Sequence, residues 1–143
     1  MTVNKRILGI DYGRVRIGLA LADARLTIAS PLKYVFNKGE KKNKVTFAEV
    51  IKKHDVGRIV LGLPAHADGN LTDMAVEVKR FGGWLLNEFG LPVIYQDERL
   101  SSWEAEQEIR DKMQIRDPKK IRELVDSIAA SMVLSEWLSK TQE

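Results

Sequence analysis

The stretch ILGIDYGRVRIGLALAD, residues 7–23, ends an apolar run on one carboxylate, Asp11, follows it with Gly13, Arg14 and Arg16, and then starts a second apolar run. Two other segments set acids in similar company. VIYQDER (93–99) runs from apolar residues into Asp97, Glu98 and Arg99, and Asp126 sits beside Ala129 and Val133 on the shoulder of an apolar helical face. Taken singly, each has an ordinary explanation. An acid past a strand end is often solvated, Asp97, Glu98 and Arg99 can pair with one another, and Asp126 can be one more polar helix residue. Brought together they are a different matter, because gathered carboxylates repel unless a proton or cation intervenes. Oxygen-only donors favour a hard ion such as Mg²⁺ or Mn²⁺. Such an ion activates water and stabilises the leaving oxygen in phosphodiester hydrolysis. The candidate metal ligands are Asp11, Glu98 and Asp126, with Asp97 a further catalytic candidate. Glu98 is preferred to Asp97 for its reach, and successive strand residues face opposite sides, so one of the two points into the site.

Cations accompany the acids. Arg14 and Arg16 flank Asp11 and Arg99 follows Glu98, where phosphates of a nucleic acid would lie. NKGEKKNK (37–44) reads as a basic loop, with Lys41, Lys42 and Lys44, beside Lys38, able to meet phosphates or simply water. Lys119, Lys120 and Arg122 open the last helix, against the sense of its dipole. The two histidines, His54 and His66, are too few and too far apart to argue for a general base, although His66 lies in a polar loop that can touch a substrate. Tyr12 suits a base contact or the core equally, and Trp84, Trp103 and Trp137 fall in amphipathic helices as packing residues.

The elements that must position these groups follow from periodicity. Residues 5–11 and 16–22 form two strands joined at Gly13, and alternation of Leu32, Tyr34 and Phe36 adds a third, completing an antiparallel meander. Val45, Phe47, Val50 and Ile51 recur at helical spacing to about His54. RIVLGLP (58–64) and PVIYQDE (92–98) are buried strands. Between them Asn70 caps a helix carrying Met74, Val78, Phe81 and Leu85, which Gly90 ends. Ser101 and Glu104 form a capping box for a helix with Ala105 and Ile109 inward. Asp117-Pro118 starts the last helix, whose broad face holds Ile121, Leu124, Val125, Ile128, Ala129 and Met132. Strands 58–64 and 92–98 each follow a helix, so right-handed crossovers set them parallel to the first strand. Parallel strands end on one sheet edge, where open α/β sheets place their sites. Asp11 and Asp97/Glu98 meet there, with Asp126 above them.

With these positions assembled, LGIDYGRVRIGLALAD, IVLGLPAHADGN, VIYQDERLSSWEAE and DSIAASMVLSEWL together resemble the YqgF family, also called RuvX, over about residues 6–139. The family has the RNase H-like fold and is related to the RuvC-type Holliday-junction resolvases. The resemblance implies a five-stranded mixed sheet of order 3-2-1-4-5 flanked by helices. It also implies a nuclease that matures the 5′ end of pre-16S ribosomal RNA, with a resolvase-like action on branched DNA as the other suggestion. Matching positions are Asp11, Asp97-Glu98-Arg99 and Asp126. There are departures. Resolvase relatives usually end the fourth strand on an acid, where this chain has Gly62-Leu63-Pro64, so the acid must come from the fifth strand. Ala22 stands for the family's usual serine, and Ser101 and Ser102 for its paired threonines.

The whole chain frames these readings. Its 143 residues, 44% hydrophobic and 30% charged, suit one domain over 1–143, and the net charge of +3 leans mildly toward a polyanionic partner. With no cysteine there is no disulfide or thiolate metal site, and a reducing cytoplasm is the natural compartment. No apolar run approaches the ~20 residues of a membrane span, so no membrane partner is expected; a homodimer is compatible with these properties. Two readings compete with the nuclease. The 7–23 hairpin is also similar to the first phosphate loop of actin and sugar-kinase ATPases, but those need two such domains. The other is a non-catalytic RNA-binding factor of ribosome assembly, since fold does not dictate activity.

Overall fold

Apolar runs joined through Gly13, and a third apolar-rich stretch, fold the start of the chain into the antiparallel strands β1 (Arg6–Asp11), β2 (Arg16–Asp23) and β3 (Ser30–Phe36). There follow α1 (Glu40–His54), β4 (Val56–Pro64), α2 (Asp73–Phe89), β5 (Val93–Glu98) and α3 (Pro118–Thr141). The computed structural model describes residues 5–23, 25, 28–64, 73–98, 107, 109–112 and 114–141. The expected Asn70 cap, the Ser101–Glu104 capping box, Ala105 and Trp103 lie outside the described residues. The sheet order is β3-β2-β1-β4-β5, with β4 parallel to both β1 and β5. This is the mixed five-stranded sheet that the resemblance implied, and the crossovers deliver the C-terminal ends of β1, β4 and β5 to one edge.

Each face of the sheet carries its own core. Leu8, Ile10, Ile17, Leu19, Ile59 and Leu61 are buried beneath α1 and α2, against Phe47, Val78, Phe81 and Leu85. Tyr12 joins that side, its ring 4.7 Å from Phe81, and Trp84 stacks on Phe81 at 5.7 Å. On the opposite face Ile7, Ala20, Ala22 and Val60 meet Ala130, Val133, Leu134 and Leu138 of α3. β4 is apolar toward both layers, so it reads as a continuous apolar run rather than an alternation. Small residues on the α3 side let that helix lie low on the sheet. Gly18 is the extreme case, since a Cβ there would run into the backbone carbonyl of Asp126.

Asp117 starts α3 as anticipated: its Oδ1 accepts the Lys119 N–H at 3.1 Å and its carbonyl accepts the Ile121 N–H at 3.0 Å. Residues 109–112 are helical, and Ile109 is buried against Ile121 and Ile128. The basic loop expected over 37–44 requires correction. Helix α1 begins at Glu40, so Lys41, Lys42 and Lys44 stand on its first turns. A side-chain network fixes that start: the Asn43 amide donates to Asn37 Oδ1 at 2.9 Å, and Asn43 Oδ1 accepts the Lys38 N–H at 3.1 Å. Glu40 then places a negative charge at the positive end of the helix. Among the described residues no helix is long and apolar enough to cross a membrane.

Candidate active site

Residues alternate along a strand, so the α3 face of the sheet is reached by Asp11 of β1, Arg16 and Gly18 of β2, Gly62 of β4, and Gln96 and Glu98 of β5. Asp97 points the other way and is exposed. Glu98 is therefore the acid of that pair that meets Asp11, although it is mounted two strands away. Gly62 makes the reach possible. A Cβ at Gly62 would stand 3.4 Å from Glu98 Oε2 and 3.2 Å from Val133 Cγ2, so Glu98 lies across the space that this residue leaves empty. The absence of an acid at the end of β4 thus has a geometric counterpart. β4 is bare at this point, and β5 supplies the carboxylate over it.

Asp126 arrives from above. Its carbonyl rests on Gly18, and Gly18 is the cross-strand partner of Asp11. The charges of both acids act on Asp11. Its carboxyl is pushed up from 3.8 to about 9, by burial first, then by the Glu98 charge and a hydrogen bond shared with Glu98, and then by the Asp126 charge. The Asp11 carboxyl is accordingly favoured in its protonated form and hydrogen-bonds Glu98. A site that retains a proton where two carboxylates meet is one where a cation can replace it.

Asp126 has a partner of its own. Arg16 Nε donates to Asp126 Oδ2 at 2.9 Å, and the Arg16 guanidinium lies 5.7 Å from the centre of the Tyr34 ring. Among the described residues no three acids or histidines form a ready-made metal cage. The structure therefore joins two of the three expected ligands directly and sets the third beside them in an ion pair. Two carboxylates still fit a Mg²⁺ ion, which dehydrates reluctantly and commonly takes one or two carboxylates together with substrate phosphates.

The other expected contacts divide. Arg14 lies across the sheet edge and donates to Glu77 of α2 at 3.2 Å. Lys44 pairs with Glu88 at 3.4 Å, while Lys41 and Lys42 are exposed. Asn37 Nδ2 donates to the Gly13 carbonyl at 3.0 Å, which ties the start of α1 to the turn after Asp11. Arg99 and His66 lie outside the described residues. Sequence reasoning missed Arg110, which with Arg16 and Arg122 lines a cavity beside Asp126. No local pattern marks Arg110, because its placement depends on how 109–112 packs against α3.

Comparison with known proteins is consistent across three kinds of match. Residues 5–140 match the family model described as "RuvX: Holliday junction resolvase". A protein of Anaeromyxobacter dehalogenans named "Putative pre-16S rRNA nuclease" is 41% identical over 136 residues, covering 94% of this chain and 97% of that protein. One of the same name from Thermoanaerobacter pseudethanolicus is 35% identical over 133 residues, covering 93% and 95%. Among solved structures, Fowlpox virus resolvase bound to Holliday junction DNA is similar with a TM-score of 0.62 at 13% identity, over 96% of this chain and 99% of that one. Thermus thermophilus RuvC gives 0.57 at 15% identity over 96% of each chain. At such identities the structural likeness speaks for the fold alone, the RNase H-like fold of the RuvC-type resolvases.

Proposed function

Because the chain belongs to the RuvX family, we propose that it is a divalent-metal-dependent phosphodiesterase acting on structured RNA, with the 5′ end of pre-16S ribosomal RNA as its target. The observation that carries this reading is the Asp11–Glu98 pair, two hydrogen-bonded carboxyl groups meeting at the edge where β1 and β5 end, with Asp11 raised by burial and by the Glu98 charge. Asp11 and Glu98 would hold Mg²⁺ or Mn²⁺, with Asp126 as the third ligand. When bound, such an ion supplies an activated water and offsets charge on the leaving 3′ oxygen. The protein's own contribution is position. Gly62 lets Glu98 reach Asp11, Gly18 lets Asp126 approach, and α3 closes the α3 side of the pair to bulk water. Arg14, Arg16 and Arg99 hold flanking phosphates, and Lys41, Lys42 and Lys44 extend the positive surface along the edge. Phosphate contacts of this kind set affinity and register, whereas the acids set the chemistry. The compartment is the cytoplasm.

A second reading, cleavage of four-way DNA junctions, is favoured by the description of the matching family and by the fold shared with the junction-bound viral resolvase. It would call for two copies acting symmetrically. One experiment addresses both. Precursor 16S RNA and a synthetic four-way DNA junction are each incubated with Mg²⁺ and either wild type or Asp11→Asn, and the new ends are mapped. RNA cleavage by wild type, lost in Asp11→Asn with binding largely retained, is the expected result. Junction cleavage alone would select the resolvase reading. Intact substrates across a range of metals would leave only a binding protein.

A further inference from the structure

Beside the acid pair lies a cavity of about 310 Å³ between the start of β2, residues 109–112 and the first turns of α3. Its walls carry three guanidinium groups, from Arg16, Arg110 and Arg122, against one carboxylate, Asp126. Asp126 is already engaged by Arg16, and neither Arg110 nor Arg122 has an ion-pair partner among the described residues. The nearby Asp117 caps the Lys119 amide. The positive end of the α3 dipole, with Lys119 and Lys120 on its first turn, adds to the same potential. Like charges crowded around a cavity repel, and an anion would relieve that repulsion. Planar forks from different elements suit the oxygens of a phosphate, which accept two parallel N–H bonds from each.

Arg16 belongs to both this cavity and the acid site. Its pair with Asp126 is partly open to water, with the two side chains 32% and 24% exposed. Such a pair exchanges partners readily. We propose that the cavity binds a substrate phosphodiester adjacent to the one being cut, and that this phosphate draws Arg16 away from Asp126 and so releases Asp126 to the metal held by Asp11 and Glu98. The inference rests on the metal-dependent reading above. It makes the third ligand conditional on substrate, and by reciprocity metal and nucleic acid strengthen each other's binding.

The test follows Mn²⁺ binding by calorimetry, without nucleic acid, in wild type, Arg16→Gln, Asp126→Asn and the double variant. Arg16→Gln is expected to bind Mn²⁺ about fivefold or more tightly than wild type, with that gain absent when residue 126 is asparagine. Unchanged or weaker binding in Arg16→Gln, or an equal gain in the Asp126→Asn background, overturns the exchange. In parallel, a fluorescent RNA hairpin is titrated with wild type, Arg110→Gln and Arg122→Gln in EDTA at several salt concentrations. Each variant should lose about threefold or more in affinity, and its log K against log salt should flatten by about one. Affinity and slope equal to wild type would overturn the phosphate pocket. Asp11→Asn keeps the two ideas apart. Mn²⁺ binding that depends on Asp11 but ignores Arg16 sinks the exchange alone. Equal Mn²⁺ binding in wild type and Asp11→Asn sinks the metal reading, and with it the exchange, leaving the hairpin titrations to judge the pocket.

Discussion

Replacing Asp11 with asparagine should stabilise the metal-free protein, and by more at higher pH. The Asp11 carboxyl ordinarily titrates at 3.8 and in the fold is pushed up to about 9. A group raised in this way favours the folded state fully while it is protonated in both states, below 3.8, and loses that contribution as the pH climbs toward about 9. One pKa unit is worth about 1.4 kcal/mol, so ionisation by pH 8 sets a ceiling of roughly 5–6 kcal/mol. The side chain is partly open to water and hydrogen-bonds Glu98, so screening reduces this to about 2 kcal/mol. Asparagine keeps the shape and removes the charge. In a domain of this size about 2 kcal/mol corresponds to roughly 6 °C in Tm. Thermal denaturation of both proteins in EDTA at pH 5 and pH 8 measures it. The gain should be small at pH 5 and several degrees at pH 8, and Mn²⁺ should then stabilise wild type more than the variant. An equal difference at both pH values, or a less stable variant at pH 8, would refute the account of the acid pair.

Three further outcomes are expected. Glu98→Gln should abolish cleavage of precursor RNA in Mg²⁺, whereas Asp97→Asn should leave the rate within about threefold of wild type, because Asp97 faces away from Asp11; the cleavage time courses decide this. Gly18→Val should cost about 3 kcal/mol in urea unfolding, since the new side chain meets the α3 backbone and has nowhere to turn. Replacing Lys41 and Lys42 together by alanine should reduce the salt slope of RNA binding by about two, at roughly 0.9 per phosphate contact, and an unchanged slope would return these lysines to solvent.

The sequence revealed most where one physical rule acted locally. Parallel strands must end on a common edge, which brings Asp11 and Glu98 together from the sequence alone, and strand alternation separates Glu98 from Asp97. Asp117-Pro118 announced α3 because a cap acts within four residues. The order of the strands came through the resemblance rather than periodicity. Other features depended on distant partners. The start of α1 rests on Asn37 and Asn43 bonding across a turn, and a lysine-rich run gives no sign of that. The pairing of Arg16 with Asp126 spans 110 positions. The pairing of Arg14 with Glu77 likewise joins residues 63 positions apart. Charged side chains at a sheet edge choose partners by tertiary proximity, which local patterns do not encode.

The bare stretch of β4 has a consequence for motion. Glu98 is carried by the outermost strand of the sheet, held by hydrogen bonds to β4 alone. Its register partner is Pro64, the last residue of β4, so no rung lies beyond it. The last rung of the ladder has a neighbour on one side only, and the carboxylate that completes the acid pair hangs from it. Fraying of a single rung would carry Glu98 away while the rest of the sheet stayed intact. Site assembly and edge-strand pairing are in this sense one equilibrium, and amide exchange at the end of β5 would report how often the pair comes apart.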